Sequence, residues 1–339
     1  MCAAVAASRH GSPSGGDFPE PIIRHCRGMT HIKVNADNFK CAETHRMMAG
    51  LQRDAGGVNA FSHNREPAAV EKQTVIRMNR DTLYSFAVVD ISAGATLTVP
   101  DSGERYLSVM IVNEDHYINR VFHDAGRYDL TIEEFGSPYV VVAARTLVDP
   151  TNPDDLAVVA AVQDQFALEA VADRPFEMPD YDGESLDRTR NALLGLAADL
   201  GSFSAMFGRH EDVDAVHHLI GTAAGWGGLP DAEASYVGVF PNLPIGEYEL
   251  TVGEVPVDGF WSISVYNAEG FFEPNEQGSY SVNNITAARN DDDSVTVRFG
   301  GEGDNALPIT VGWNYIVRLY RPRPEILTGD WTFPKLAQQ

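Results

Sequence analysis

Lysine is nearly missing from this chain: Lys33, Lys40, Lys72 and Lys335 are the only four among 25 basic residues, which face 48 acidic ones. The resulting net charge of −23 repels phosphate backbones and anionic head groups, which excludes nucleic acid and membrane surfaces as partners. Most cationic contacts must therefore come from arginine, whose planar fork suits carboxylates. Cysteine is scarce as well. Cys2, Cys26 and Cys41 lie near the start in odd number and without regular spacing, so neither a disulfide framework nor a metal knuckle is expected. No stretch approaches the ~18 apolar residues of a membrane span. Residues 1–7 carry no cationic flank and too short an apolar run for a secretory signal, and the expected location is cytoplasmic. Gly-x-Ser-x-Gly, Ser-x-x-Lys, Walker and His-Glu-x-x-His patterns are all absent. Gly301-Glu302-Gly303-Asp304-Asn305-Ala306 imitates a dinucleotide loop but does not open a helix inside a βαβ unit. No cofactor and no metal is expected.

What is present is enough apolar material, 44% of 339 residues, to fill two buried domains. Residues 1–28 contain Gly11-Ser12-Pro13-Ser14-Gly15-Gly16 and read as a mobile tail. Residues 29–148 read as a helix near 38–54 followed by strands at 74–78, 84–91, 95–99, 105–113, 117–122, 128–132 and 139–145, separated by short turns. That rhythm predicts an antiparallel β domain. Residues 149–230 change period and predict helices over 156–171, 185–207 and 212–224, which need a surface to bury Leu193, Leu194, Leu196, Leu200 and Phe203. Residues 231–339 return to period two, with strands at 248–252, 260–266, 295–299 and 315–320. The fold class is α+β, mainly β, ending in a jelly-roll-like sandwich.

Several groups gather polar side chains where strands end. Asn79-Arg80-Asp81-Thr82 with Tyr84 could clamp an anion through Arg80 and exchange a proton through Asp81, or could be a structural turn. Asn113-Glu114-Asp115-His116 sets a carboxylate beside an imidazole, the minimum equipment for acid–base work. His210, His217 and His218 read as satisfied or solvent-facing histidines on a helix, with His218 near Trp226 a weaker cleft candidate. On the strand 260–266, Phe260, Ser262, Ser264 and Tyr266 share one face, while Trp261, Ile263 and Val265 form a core face. Arg318 shares its strand face with Ile316 and Tyr320, where burial would call for a carboxylate partner.

The ordered series of these motifs resembles two bacterial domain-of-unknown-function families that occur as a pair. Residues 79–84, Val99-Pro100-Asp101 with Gly103 and Arg105-Tyr106, Asn113 to His116, and Arg145-Thr146-Leu147 resemble family 1254. Gly259 to Ser262, Tyr266-Asn267-Ala268, Tyr280-Ser281-Val282, Asn305 with Leu307-Pro308, and Arg318 through Pro322 resemble family 1214. Trp226-Gly227-Gly228-Leu229-Pro230 joins the halves, and Trp226 is expected to pack between the helices and the C-terminal sandwich. The resemblance implies a β domain, helices and a C-terminal sandwich, and it supplies no catalytic residues.

The functional expectation is a cofactor-independent enzyme of hydrolase or lyase type, acting on a small polar or carboxylate-bearing metabolite in an interdomain cleft. Asp81, Glu114 and His116 are its candidate catalytic groups, and Arg80, Asn79, Tyr84, Trp226 and Tyr266 its candidate binding groups. The alternative is a non-catalytic protein that binds a small molecule or carbohydrate. The expected partner is a small-molecule ligand, and homo-oligomerisation is left open.

Overall fold

The computed structural model describes residues 31–73, 76–197, 200 and 203–336. The tail expected at residues 1–28 lies outside the described residues. Ile32–Gln339 form one compact unit of α+β, mainly β architecture. No helix among the described residues is long and apolar enough to cross a membrane.

Helix α1 (Phe39–Ala55) stops at Gly56, whose φ of 79° only glycine adopts without strain. Strands β1 (Ser62–His63), β2 (Thr82–Asp90), β3 (Ala95–Val99), β4 (Leu107–Asn113), β5 (Ile118–Phe122) and β6 (Gly126–Leu130) follow, then the one-turn α2 (Ile132–Phe135) and β7 (Tyr139–Leu147). An antiparallel sheet in the order β1-β2-β7-β4-β5 is buried on both faces. That explains why β4 and β7 read as mostly apolar runs rather than alternating ones. One face packs Val89, Val109 and Val142 against Leu97, Val99 and Leu130 of a second sheet. The other packs Val88, Met110 and Val141 against Met48 of α1 and against Phe260 and Tyr320 from the far end of the chain.

The middle of the chain holds α3 (Pro153–Gln163), β8 (Ala167–Ala170), α4 (Gly183–Ala197) and α5 (Ala215–Ala224). Asn152 caps the amides of Asp154 and Asp155, and Asp214 caps those of Val216 and His217, so these starts are set by local chemistry. The run 156–171 is not one helix. It breaks after Gln163, whose buried amide bonds the carbonyl of Asn64, and β8 then completes the sheet β6-β3-β8. Residues 185–207 are likewise not one helix: α4 ends at Ala197, and Leu194, Leu196 and Phe203 are exposed where burial was expected. Residues 76–78 form no strand, because Arg77 takes a φ of 55° and donates its amide to Gly270.

The last third contributes β9 (Ala234–Val239), β10 (Tyr248–Val252), β11 (Trp261–Tyr266), β12 (Ser281–Asn283), β13 (Val295–Phe299), β14 (Ala306–Leu307), β15 (Asn314–Tyr320) and the short α6 (Pro324–Leu327). Sheets β12-β11-β15-β9 and β10-β13-β14 enclose one apolar core. Trp261, Ile263 and Val265 enter it as the alternation predicts. The opposite, polar face of the four-stranded sheet turns toward the N-terminal sheet.

Candidate functional site

Two cross-strand rows build the site. On the N-terminal sheet, Tyr84, Arg145 and Ser108 are register partners across β2, β7 and β4. On the C-terminal sheet, Tyr236, Arg318, Ser262 and Asn283 are register partners across β9, β15, β11 and β12. Period-two alternation puts each row on one face of its sheet, so a charged guanidinium stands at the middle of both.

Residues 77–81 cross between the sheets and tie them together. The Ser262 hydroxyl donates to Asp81 Oδ2 at 2.7 Å, and Asn79 Nδ2 donates to the Tyr320 hydroxyl at 3.0 Å. Asn79 Oδ1 also accepts the Asp81 amide at 2.8 Å, which sets the turn. Arg318 donates to Ser264 Oγ and to the Tyr266 hydroxyl, both at 2.7 Å, and to the carbonyl of Arg77 at 2.9 Å. Tyr266 passes its own proton to the carbonyl of Met78 at 2.8 Å. Beside this network runs an aromatic seam: the Phe260 ring stacks on Tyr320 with centroids 4.2 Å apart and meets Tyr106 edge-on at 5.1 Å. Tyr106 and Phe260 also wall a separate cleft of about 730 Å³ lined by Arg105, Asp155 and His123.

Arg145 is held from behind. Its Nη2 donates to the carbonyl of Gly227 at 2.6 Å, while Nη1 is buried without a hydrogen-bond partner. Its guanidinium lies 5.2 Å from the centre of the Tyr84 ring. Gly227, at a φ of 75°, donates its amide to His116 Nε2 at 2.9 Å. His116 Nδ1 meets Thr222 Oγ1 at 2.9 Å, and that hydroxyl donates its only proton to the carbonyl of His218. His116 therefore holds its proton on Nδ1 and stays neutral, in keeping with burial and His218 pressing its pKa well below the ordinary value.

Electrostatically the site is unbalanced. Among the described residues, no carboxylate lies within ion-pair distance of Arg145 or Arg318, so the partner expected for Arg318 is replaced by hydroxyls and carbonyls. Asp81 is fully buried, and burial raises its pKa despite the pull of Arg318 and Ser262. Burial would raise Tyr84 as well, but the charge of Arg145 beside it outweighs this and lowers that phenol. Tyr236 keeps 40% of its surface accessible, yet burial raises its pKa.

Of the residues singled out in the sequence, Asn79, Asp81, Tyr84 and Tyr266 come together here. Arg80 turns outward, donating to the carbonyl of Ala68 and lying 5.3 Å from the Tyr280 ring, so it does not pair with Asp81. Glu114 sits at the other end of β4, where it meets His45 Nε2 at 2.9 Å and accepts the Tyr139 amide. His116 lies behind Arg145 rather than in the cleft. Trp226 stacks on His116, donates to Thr44 of α1 at 3.1 Å and packs against the cluster that holds Met48 of α1 with Phe260 and Tyr320. His218 is buried against Tyr117, with ring centroids 4.6 Å apart. The sequence reading missed Arg145, Tyr236 and Tyr320 as site residues. A lone charge in the otherwise apolar strand Tyr139–Leu147 was the available signal for the first. Among the described residues, no group of three or more His, Cys, Asp or Glu is arranged to hold a metal ion.

The comparisons fit this division of the site. No curated protein matches the chain. The structure is similar to the VPA0106 protein of Vibrio parahaemolyticus, with a TM-score of 0.68 and 16% identity over 89% of this chain and 96% of that one. It is also similar to a putative uncharacterised protein of Burkholderia cenocepacia, with a TM-score of 0.51 and 15% identity over 89% and 88% of the two chains. Both likenesses concern the fold. Residues 58–131 match the family described as protein of unknown function DUF1254, and residues 244–324 match that described as protein of unknown function DUF1214. The first match contains Asp81 and Tyr84 and the second Ser262, Tyr266 and Arg318, so the candidate site draws on residues from both matched segments.

Proposed function

We propose that the protein binds a small carboxylate-bearing metabolite, in a cleft that this reading places between the facing polar rows of the β1-β2-β7-β4-β5 and β12-β11-β15-β9 sheets. The observation that carries this reading is the charge balance: Arg145 and Arg318 are buried there, and among the described residues neither has a carboxylate within ion-pair distance, Asp81 acting on Arg318 from farther away. A buried guanidinium without a counterion is costly, and an anionic ligand removes that cost. Arginine without a carboxylate partner is thereby free for one supplied from outside. Tyr84 and Tyr236, both partly accessible, give the ligand hydroxyls to bond, and Asn79 lies beside them. Asp81, Glu114 and His116 are not assembled into one constellation, which favours binding over hydrolysis by those three groups.

The test is a thermal-shift series with succinate, benzoate and glucose on the full chain and on Arg145→Gln. A carboxylate that binds the folded state should raise the melting temperature of the wild type, by an amount equivalent to ~2.7 kcal/mol at a hundred times Kd. Arg145→Gln should lose that response while still melting cooperatively. Equal shifts in both proteins, or a response to glucose alone, would refute the assignment.

A further inference from the structure

We propose that Tyr84 is the proton-transfer residue of this cleft, acting from the face of a guanidinium that Gly227 and His116 hold in place. The proposal rests on the cleft being an anion site and adds what the protein does to the bound ligand. Geometry carries it. Tyr84 and Arg145 are direct cross-strand partners, with the guanidinium 5.2 Å from the phenol ring. Arg145 is 7% exposed and is anchored through Nη2 on the carbonyl of Gly227. Tyr84, by contrast, is only half-buried.

A phenolate formed at Tyr84 would meet a charge already in position, which among the described residues no carboxylate of the protein pairs with. The groups that face Tyr84 are Arg145 on β7, Arg318 and Tyr320 on β15, Tyr236 on β9 and, in the crossing segment, Asn79. The charges of Arg145 and Arg318 both favour its ionised form.

The step is a proton transfer alone. The Tyr84 O–H bond breaks, and an O–H or C–H bond forms on the ligand atom that carries an electron pair. The phenolate remains beside Arg145 and recovers a proton from water after product leaves. Nothing is oxidised or reduced. Because a bound carboxylate and the Tyr84 phenolate draw on the same cation, the ligand binds with Tyr84 protonated, and Tyr84 acts as an acid. The substrate class is therefore a carboxylate that develops negative charge on a neighbouring atom, as in elimination or isomerisation, rather than an ester or amide awaiting a nucleophile.

His116 acts through Arg145 as a positioning residue. It accepts the Gly227 amide, and Gly227 in turn accepts Arg145, so removing the imidazole acceptor releases the peptide that orients the guanidinium.

Tyrosinate absorbance, followed through an alkaline titration of the full chain, tests this without knowledge of the natural ligand. One of the 12 tyrosines should ionise ahead of the rest. Tyr84→Phe should remove that early phase, and Arg145→Gln should merge it with the bulk. His116→Leu should delay it, and His116→Gln, which keeps an acceptor for Gly227, should restore it. Saturating succinate should also delay it in the wild type, whereas a merely structural tyrosine would not respond. An early phase that survives Tyr84→Phe, or the lack of one in a protein that binds succinate through Arg145, overturns the proposal for Tyr84. An early phase assigned to Tyr84 that succinate leaves unmoved overturns instead the anion-site reading beneath it.

Discussion

Phe260 offers a direct measure of how strongly the two halves of the molecule are coupled. It immediately precedes β11 of the C-terminal sandwich, yet its ring is 0% exposed and belongs to the core on the second face of the N-terminal sheet, beside Tyr106 and Tyr320. Truncation in Phe260→Ala loses the transfer energy of the ring and leaves a cavity, together about 3–5 kcal/mol. Two aromatic contacts disappear with it, the stack on Tyr320 and the edge contact with Tyr106, each worth about 0.5–1.5 kcal/mol. Partial collapse of the cavity offsets part of that sum, so the expected loss is ~4 kcal/mol, a large share of the ~5–15 kcal/mol that holds a typical domain together. Urea denaturation checks it. Tryptophan fluorescence reports Trp226 on the α1 side and Trp261 and Trp313 in the sandwich core, while far-ultraviolet circular dichroism reports both. If the halves fold as one unit, the midpoint falls by the same amount for both probes with an unchanged slope. A loss under ~1 kcal/mol, or a second transition left at the wild-type midpoint, would refute the claim that this residue fastens one half to the other.

Two further outcomes follow from local geometry. A Cβ on Gly228 would stand 2.2 Å from the ring of Phe207, so Gly228→Ala should displace that ring and cost about 1–3 kcal/mol, and a melting temperature equal to wild type would contradict the packing described. Asp90 is 0% exposed; burial raises its carboxyl pKa, but bonds from Arg174 and Ser92 outweigh this and hold it below the usual carboxylate range. A depressed pKa gives stability that is present above the unfolded value of ~3.9 and is lost as pH falls through the folded one. Asp90→Asn should therefore unfold at lower stability near neutrality and show a flatter acid limb, and an acid limb as steep as wild type would exclude Asp90 as a contributor.

How much of this was legible depended on period and length. Ala95–Val99, Tyr248–Val252 and Val295–Phe299 are strands with the bounds their alternation gives, because each has one wet and one dry side or a turn on either flank. The division of residues 260–266 into a core face and a polar face was equally plain. Strands of four residues or fewer, such as β1, β8, β12 and β14, carry too few alternations to register and exist because a neighbouring edge offers unpaired backbone. At the site, Asn79, Asp81 and Tyr84 were visible as a polar strand start. Arg145 was not, since its strand is apolar on both faces and its importance comes from Tyr236 and Tyr320, which lie more than eighty residues away along the chain. Glu114 and His116 illustrate the converse: neighbours in sequence on a tight hairpin, they point into different surroundings because His116 takes a φ of 66°.

Arg318 also bears on how the sandwich finds its pairing. Its strand carries Val317 and Leu319 into the apolar core and Ile316, Arg318 and Tyr320 onto the face turned toward the N-terminal sheet. A slip of β15 by one residue against β11 would exchange the two sets. The guanidinium would then lie among Trp261, Val265 and Phe299, stripped of Ser264, Tyr266 and the carbonyl of Arg77, at a penalty of several kcal/mol. Ile316 and Tyr320 could fill the core in place of Val317 and Leu319 on hydrophobic grounds alone. A single charged side chain thus acts as an error check during assembly, making the misaligned sheet too unstable to persist.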